Sequence, residues 1–156
     1  MPRSGADLAL LLLGGYRSLV EGVTAELAAQ GFPDFRPSHE FAMRAIAAGA
    51  DSAADLARRT SVSKQAAAKT IGVLVERGYV AVDADPSDAR RKRLRVTAEG
   101  ADLLDRGEAV FEDLRAEWSR RIGAEELEAL EGRLRALVGD TAVDPARAGR
   151  AAAALE

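Results

Sequence analysis

Apolar residues recur at three- and four-residue steps along the first segment of the chain. The stripe consists of Leu8, Leu12, Tyr16, Leu19, Val20, Val23 and Leu27. This spacing predicts one amphipathic helix over about residues 7–30, with Gly31 as its C-terminal cap. Gly14 and Gly15 interrupt the predicted helix, so either it bends there or another backbone approaches it closely.

Three shorter helices are predicted before residue 78. Ser38 is expected to cap the second helix, which carries Phe41, Met43, Ala45 and Ile46. Ser52 and Asp55 resemble a capping box for the third helix, which Leu56 anchors inward. After a turn at residues 60–62, Ser63 caps a fourth helix over residues 64–77, ended by Gly78. Its predicted inward face is Ile71, Leu74 and Val75, and its predicted exposed start is Lys64, Gln65, Ala67, Ala68 and Lys69.

The segment that follows alternates apolar and polar positions as a β-strand does. It predicts a strand at residues 79–82, a polar loop at residues 83–91 that turns at Pro86, and a return strand at residues 92–96. The loop and return strand contain ARRKRLR, five cations in seven residues. The result is a basic hairpin, or wing, in which Asp88 is expected to support the guanidinium of Arg90.

Apolar stripes return in the last third of the chain. Thr97 is expected to cap a helix of about 25 residues, roughly 37 Å long, with the stripe Leu103, Val110, Phe111, Leu114, Trp118 and Ile122. Gly123 ends it, and Leu127, Leu130, Leu134, Leu137 and Val138 face inward on a final helix. Asp144 and Pro145 start either a short Ala-rich helix or a mobile tail.

These elements predict a fold that is mainly α with a small β wing. It is a winged helix-turn-helix flanked by N- and C-terminal dimerisation helices, because the apolar terminal helices have too little of the domain left to cover them.

Charge is sorted along the chain. Residues 51–95 carry ten Lys or Arg against six Asp or Glu, a local net charge of +4, whereas the whole chain has a net charge of −3. The three lysines, Lys64, Lys69 and Lys92, all lie in this window. A basic surface on an acidic scaffold suits a polyanionic partner, because cations that contact phosphates release condensed counterions.

Several function classes find no support in the residues. With no cysteine and one histidine, the chain is expected to hold no disulfide framework, no metal and no cofactor. It lacks the motifs of zinc proteases, phosphate-binding glycine loops and nucleophile elbows, so an enzyme is not expected. The apolar run at residues 8–13 is too short for a membrane helix. A soluble, cytoplasmic protein without membrane contact is therefore expected.

The fourth helix and the wing together predict binding to double-stranded DNA. A helix start in the major groove presents its first residues to base edges, and arginine at a wing tip can enter the narrow minor groove. The candidate DNA contacts are Ser63, Lys64, Gln65, Ala67, Ala68, Lys69, Arg90, Arg91, Lys92 and Arg93. Two alternatives remain open: a solvated hairpin beside an ordinary helix surface, and a winged helix that docks a protein without binding DNA.

Two stretches together resemble the MarR (multiple-antibiotic-resistance) family of transcriptional regulators. They are DLARRTSVSKQAAAKTIGVLVERGYV and DPSDARRKRLRVTAEG, and the resemblance extends over nearly the whole chain. It implies that Lys64, Gln65, Ala67, Ala68 and Lys69 face the major groove and that Arg90, supported by Asp88, reaches the minor groove. It also implies a homodimeric repressor on a pseudo-palindromic operator, released by a small aromatic or lipophilic effector.

The resemblance further implies an effector pocket where the second helix meets the dimerisation helices. The candidate residues are His39, Met43 and Trp118. For Met43 and Trp118, core or dimer packing is the favoured interpretation, and for His39 a place on the surface or at a helix start. The expected parts of this one integrated domain are residues 1–50 with the N-terminal dimerisation helix and second helix, residues 51–97 with the winged helix-turn-helix, and residues 98–156 with the C-terminal dimerisation helices.

Overall fold

A computed structural model describes residues 4–139 of the chain. In chain order the elements are α1 (Gly5–Ala29), α2 (Pro37–Ala47), α3 (Ala53–Thr60), α4 (Lys64–Glu76), β1 (Val80–Asp85), β2 (Asp88–Val96), α5 (Ala98–Ile122) and α6 (Ala124–Val138). This order confirms the predicted fold, which is mostly helical with a two-stranded antiparallel wing. The helix or tail predicted after Asp144 and Pro145 lies outside the described residues.

α1 is one unbroken helix that starts two residues earlier than predicted. Ser4 caps it: its Oγ accepts the Asp7 amide at 3.1 Å, while the Asp7 carboxylate accepts the Ser4 amide at 2.9 Å. A Cβ at Gly15 would lie 3.4 Å from the Trp118 ring, and one at Gly22 would lie 2.9 Å from Leu114. Gly22, which the sequence analysis did not single out, thus allows close packing of α1 on α5, whereas a Cβ at Gly14 would meet no heavy atom of the described chain within 4 Å.

α1 is also long and apolar enough to cross a membrane when length and composition alone are considered. Its most apolar 18-residue window has a mean hydropathy of 1.3, and only 6% of that window is buried within the chain. The prediction considered only the apolar run at residues 8–13 and therefore underestimated the length of the apolar segment in this helix. Length and hydropathy are weak evidence, however, because apolar helices that pack against other helices meet the same test.

α2 begins at a different cap from the one predicted. Arg36 is the N-cap residue, Pro37 occupies the first turn, and Ser38 is therefore already inside the helix. His39 Nδ1 accepts the Arg36 amide at 3.3 Å, which satisfies one of the amides that the helix start would otherwise leave unpaired. Proline suits this position because the first helical amides need no intrahelical acceptor.

The helix-turn-helix follows the predicted local signals. Ser52 Oγ accepts the Asp55 amide at 3.2 Å and Leu56 is buried, as expected, but the Asp55 carboxylate binds Arg58 and Arg59 and does not complete a capping box. At the turn Ser61 adopts the left-handed conformation with φ at 57°. Ser63 Oγ accepts the Ala66 amide at 3.0 Å and starts α4 at the predicted residue.

The wing is longer than predicted. Its strands pair regularly from Val80 opposite Val96 to Ala84 opposite Lys92, and a shift in register follows beside Asp85. Only Pro86 and Ser87 lie outside the strands, so most of the predicted loop at residues 83–91 belongs to the hairpin. The cations of ARRKRLR are consequently held on β2.

α5 is fixed to the base of the wing by hydrogen bonds. Thr97 Oγ1 accepts the Gly100 amide at 3.1 Å and donates to the Gly78 carbonyl at 2.6 Å, and the Thr97 amide donates to the Tyr79 carbonyl at 3.0 Å. A Cβ at Gly100 would lie 2.2 Å from the Tyr79 oxygen. This junction therefore requires glycine.

The buried core joins α1 to α5 and the winged helix, and its largest fully buried side chains are Leu27, Met43, Leu56, Leu74, Leu103 and Val80. Apolar side chains toward the ends of the chain remain exposed: Leu8, Leu10, Leu11 and Leu12 on α1, Ile122 on α5, and Leu130, Leu137 and Val138 on α6. The N-terminal part of the apolar face of α1 and most of the apolar face of α6 are thus uncovered within a single chain.

Candidate nucleic-acid interface

The start of α4 presents a polar and small surface to solvent. Ser63, Lys64, Gln65, Ala68 and Lys69 are exposed. Ala67 is 1% exposed, so the prediction that it faces a DNA groove is wrong. Residues three and four apart share a helix face, and this periodicity aligns Ala67 with Ile71 and Leu74 toward the core.

Two further residues of the same helix are exposed. Gly72, which the sequence analysis did not assign, lies on the side of Gln65 and Ala68, and a Cβ there would have no heavy atom of the described residues within 4 Å. Val75 is 39% exposed, although it was predicted to face inward. Adjacent side chains on a helix point about 100° apart. Because Leu74 faces the core, its neighbour Val75 points away from it.

The wing carries a row of exposed cations. Arg90, Arg91, Lys92 and Arg93 are all exposed on β2. Arg91 lies 3.9 Å from Asp51, and Arg95 pairs with Asp83 at 2.6 Å. Among the ion pairs of residues 4–139, none involves Arg90, Lys92 or Arg93, or the lysines of α4. These side chains are available to a partner that carries negative charge.

Acidic residues shape the wing tip through the backbone. Asp88 Oδ1 accepts the Arg90 amide at 3.0 Å, so the observed contact is with the backbone and the predicted support of the guanidinium is not formed here. Ser87 donates to Asp85 from its hydroxyl at 2.6 Å and from its amide at 2.8 Å, and these hydrogen bonds lower the pKa of the Asp85 carboxyl. Both carboxylates are thus used to hold the turn.

The three candidate pocket residues lie in three different places. Met43 is fully buried in the core. Trp118 is half-buried on α5 beside Gly15 of α1. His39 lies near the start of α2, which was one of its two predicted positions, and it is 8% exposed. It lines a cavity of about 440 Å³ between α2, α3 and α4.

A second cavity, of about 180 Å³, lies where α2 meets α1 and α5, and none of the three candidates lines it. Its wall instead contains Glu40, which sequence reasoning missed. The signal was present, since Glu40 stands four residues before Arg44 within the apolar part of α2. No cluster of three or more His, Cys, Asp or Glu side chains in the described part of the chain could hold a metal ion.

The helix-turn-helix and its wing are similar to those of known proteins. Residues 41–91, which cover most of α2, the helix-turn-helix and the first part of the wing, match the model of the MarR family. This third of the chain is similar to the MarR family. That family consists of transcriptional regulators.

Solved structures of MarR-family proteins share the fold over most of the chain. Apo MarR from E. coli aligns with a TM-score of 0.65 at 21% identity, covering 84% of this chain and 96% of that one. YusO from Bacillus subtilis aligns at 0.66 with 17% identity, covering 88% and 99%. The F27L mutant of S. aureus MepR, bound to an oligodeoxyribonucleotide, aligns at 0.60 with 14% identity, covering 86% and 97%.

Proposed function

We propose that this chain is a MarR-family, sequence-specific, double-stranded DNA-binding transcriptional regulator that acts in the cytoplasm as a homodimeric repressor. The observation that carries the proposal is the set of exposed cations on α4 and β2 that have no carboxylate partner within the described residues. The DNA-bound state of the structurally similar MepR mutant supports the same use of the fold.

On this proposal α4 enters the major groove by its N-terminal end. Gln65 reads a base edge, Ala68 meets a thymine methyl, and Lys64 and Lys69 contact guanine or phosphate. The positive end of the α4 dipole adds to the attraction for phosphate. Ala67 takes no part, because its side chain is inside the protein.

The wing binds beside the helix. Arg90 enters the minor groove, where the potential is most negative when the groove is narrow, and Arg91, Lys92 and Arg93 contact the backbone. Asp88 positions Arg90 through its amide, which fixes the direction in which the arginine leaves the strand.

Dimerisation follows from the exposed apolar faces of α1 and α6. A second copy that covered both would place the two recognition helices in successive major grooves, about 34 Å apart on a pseudo-palindromic site. Within the described part of the chain, residues 4–50 and 98–139 supply the dimer contacts, and residues 51–97 supply the DNA contacts.

A small aromatic or lipophilic effector would control binding. The 180 Å³ cavity lies between α2, which packs against α3, α4 and β2, and the terminal helices α1 and α5. A ligand at this place can change how the DNA-binding elements sit on the dimer, and an effector that binds the DNA-free form more tightly releases the operator.

Selection of bound fragments from random duplexes tests the proposal. We expect enrichment of a two-fold symmetric site whose half-sites are about one helical turn apart. Gln65→Ala should then change the base preference at one position of each half-site by about 1–3 kcal/mol. Gln30→Ala, a change to the chain's other glutamine at the end of α1, is the matched control and should leave the selected site unaltered.

Failure to enrich any sequence would contradict sequence-specific binding. Equal loss of affinity for all sequences in Gln65→Ala would show that this residue positions the helix and does not read a base.

A further inference from the structure

α2 carries a buried carboxylate that the proposed DNA interface does not use. Glu40 is 7% exposed, and its Oε1 accepts the Arg44 Nε–H at 3.0 Å. Arg44 also lies 3.7 Å from Glu108 on α5. Burial raises the pKa of the Glu40 carboxyl, while the charge and hydrogen bond of Arg44 act in the opposite direction. A buried carboxylate is costly unless it is paired, so this group needs a cation beside it.

Glu40 also forms part of the wall of the 180 Å³ cavity between α1, α2 and α5. The rest of that wall is mainly apolar, and it includes four aromatic rings: Tyr16, Phe35, Phe41 and Phe111. Arg36 is the other charged residue that lines the cavity, and it is exposed to solvent. The buried charge that a small molecule would meet in this cavity is therefore negative.

Such a wall discriminates between ligands by charge. Aromatic faces attract cations, most strongly when water is excluded, and a nearby carboxylate adds direct attraction. An organic anion would meet repulsion from Glu40 in a site of low polarity, where charges interact strongly. The small volume also limits the ligand to about one ring or a few short alkyl groups.

We propose that this cavity binds a small lipophilic organic cation whose charged nitrogen pairs with Glu40 among the aromatic rings. This inference rests on the proposed effector response, for which it names the chemical class of the ligand. Because Glu40 already holds Arg44, the ligand takes over part of that pairing and leaves Arg44 to Glu108. The contact between α2 and α5 changes at this point, next to the helices that carry the DNA interface.

Isothermal titration of the full chain with phenyltrimethylammonium and with benzyltrimethylammonium tests the charge preference directly, with phenylacetate as the anion of similar size. We expect at least one cation to bind saturably, and phenylacetate to bind at least about tenfold more weakly. Glu40→Gln should weaken cation binding by about tenfold or more, because it removes the buried charge while keeping the shape of the side chain.

Glu117→Gln is the matched control. It makes the same chemical change at another glutamate that binds an arginine four residues later, Arg121, but outside the cavity, and cation affinity should stay within about twofold. A circular-dichroism melt of each variant establishes that it is folded, and Phe111→Leu provides a second variant that removes one aromatic face and should also weaken the cation. Absence of binding by both cations, equal binding of phenylacetate, or unchanged affinity in folded Glu40→Gln would overturn the proposal.

The titrations contain no DNA, so they separate this inference from the proposed function. Cation binding that depends on Glu40 in a protein that binds no duplex would refute the regulator and keep the cavity assignment. Duplex binding without cation binding would refute the cavity assignment and keep the regulator. If the chain binds both, adding the cation to the operator complex should lower the fluorescence anisotropy of a labelled duplex for the unmodified chain and not for Glu40→Gln.

Discussion

At the scale of single residues, the exposed face of α4 contains a glycine where a side chain would fit. Gly72 lies mid-helix on the side of Gln65 and Ala68, and no heavy atom of the described chain would meet a Cβ there. A glycine at such a position costs about 1 kcal/mol relative to alanine. Packing within the described chain does not account for this glycine, and in the proposed complex it lets DNA approach the helix closely.

Gly72→Ala should therefore separate stability from binding. The free energy of unfolding should rise by up to about 1 kcal/mol, because alanine restricts the unfolded chain and favours helix. Affinity for the operator should fall, since the added methyl group occupies the interface. Urea denaturation and fluorescence anisotropy measure the two quantities.

Gly132→Ala on α6 is the control for this experiment. It replaces another exposed helical glycine whose Cβ would contact nothing within 4 Å, and it should raise stability by a similar amount without changing operator affinity. A Gly72→Ala variant that is more stable and binds DNA as tightly as the unmodified chain would show that DNA does not approach this position.

At the scale of elements, the junction between the wing and α5 determines how the hairpin is oriented. Thr97 caps α5 and at the same time donates to the carbonyl of Gly78, two residues after α4 ends. Gly100 lets the first turn of α5 contact Tyr79. The wing, α4 and α5 thus share one small set of contacts, and the orientation of β2 depends on them.

Gly100→Ala should destabilise the fold even though alanine favours helix. The new Cβ would clash with a backbone oxygen, which cannot move aside as the end of a flexible side chain can. Overpacking of this kind costs about 1–3 kcal/mol. Urea denaturation measures the loss, and a Gly100→Ala variant as stable as the unmodified chain would contradict this account of the junction.

The elements also show what the sequence could predict. Helix starts at Ser52, Ser63 and Thr97 came out correctly, because a cap is a local interaction between neighbouring residues. Ser38 was the exception, since α2 starts at Pro37, two residues earlier than a cap at Ser38 would place it. Both strands of the wing were predicted, but their extensions toward the tip were missed because those polar, exposed residues carry no apolar alternation.

The candidate site was predicted less completely than the fold. Local charge drew attention to α4 and β2. Ala67 and Val75 were assigned to the wrong sides of α4, because their correct placement requires knowledge of how α4 packs on the core. Glu40 and its cavity escaped for the same reason. Three helices that are distant in sequence form that cavity, and no local pattern encodes their meeting.

At the scale of the whole molecule, we propose that a second copy of the chain covers the exposed apolar residues of α1 and α6. Leu137 is 80% exposed and Leu8 58% exposed, and both belong to stripes that run along terminal helices. Isolated exposed apolar residues are ordinary, whereas contiguous stripes mark interfaces. A two-fold interface between copies would bury both stripes.

Leu137→Glu should therefore weaken the dimer of the full chain, because it places a charge in an apolar interface. Sedimentation velocity over a range of concentrations should show a dimer for the unmodified chain and a shift toward monomer for the variant. Val82→Glu on the wing makes a similar change at another exposed apolar residue and should leave the dimer intact. A monomeric unmodified chain would contradict the proposed assembly.

The distribution of charge is the central feature of the molecule. The window of residues 51–95 carries +4 on a chain of −3, and the cations at its exposed surface include five that form no ion pair among residues 4–139. On this account phosphate contacts dominate affinity, and their number sets how steeply binding depends on salt.

The dependence of operator affinity on salt tests this claim most directly, measured by fluorescence anisotropy from 50 to 200 mM salt. With about eight phosphate contacts in a dimer, affinity should fall on the order of a thousandfold or more over this range. Arg90→Ala should weaken binding to every sequence, whereas Arg120→Ala on α5, the same loss of charge outside the window, should not. Affinity that does not change with salt, or an Arg90→Ala variant that binds as tightly as the unmodified chain, would contradict the account.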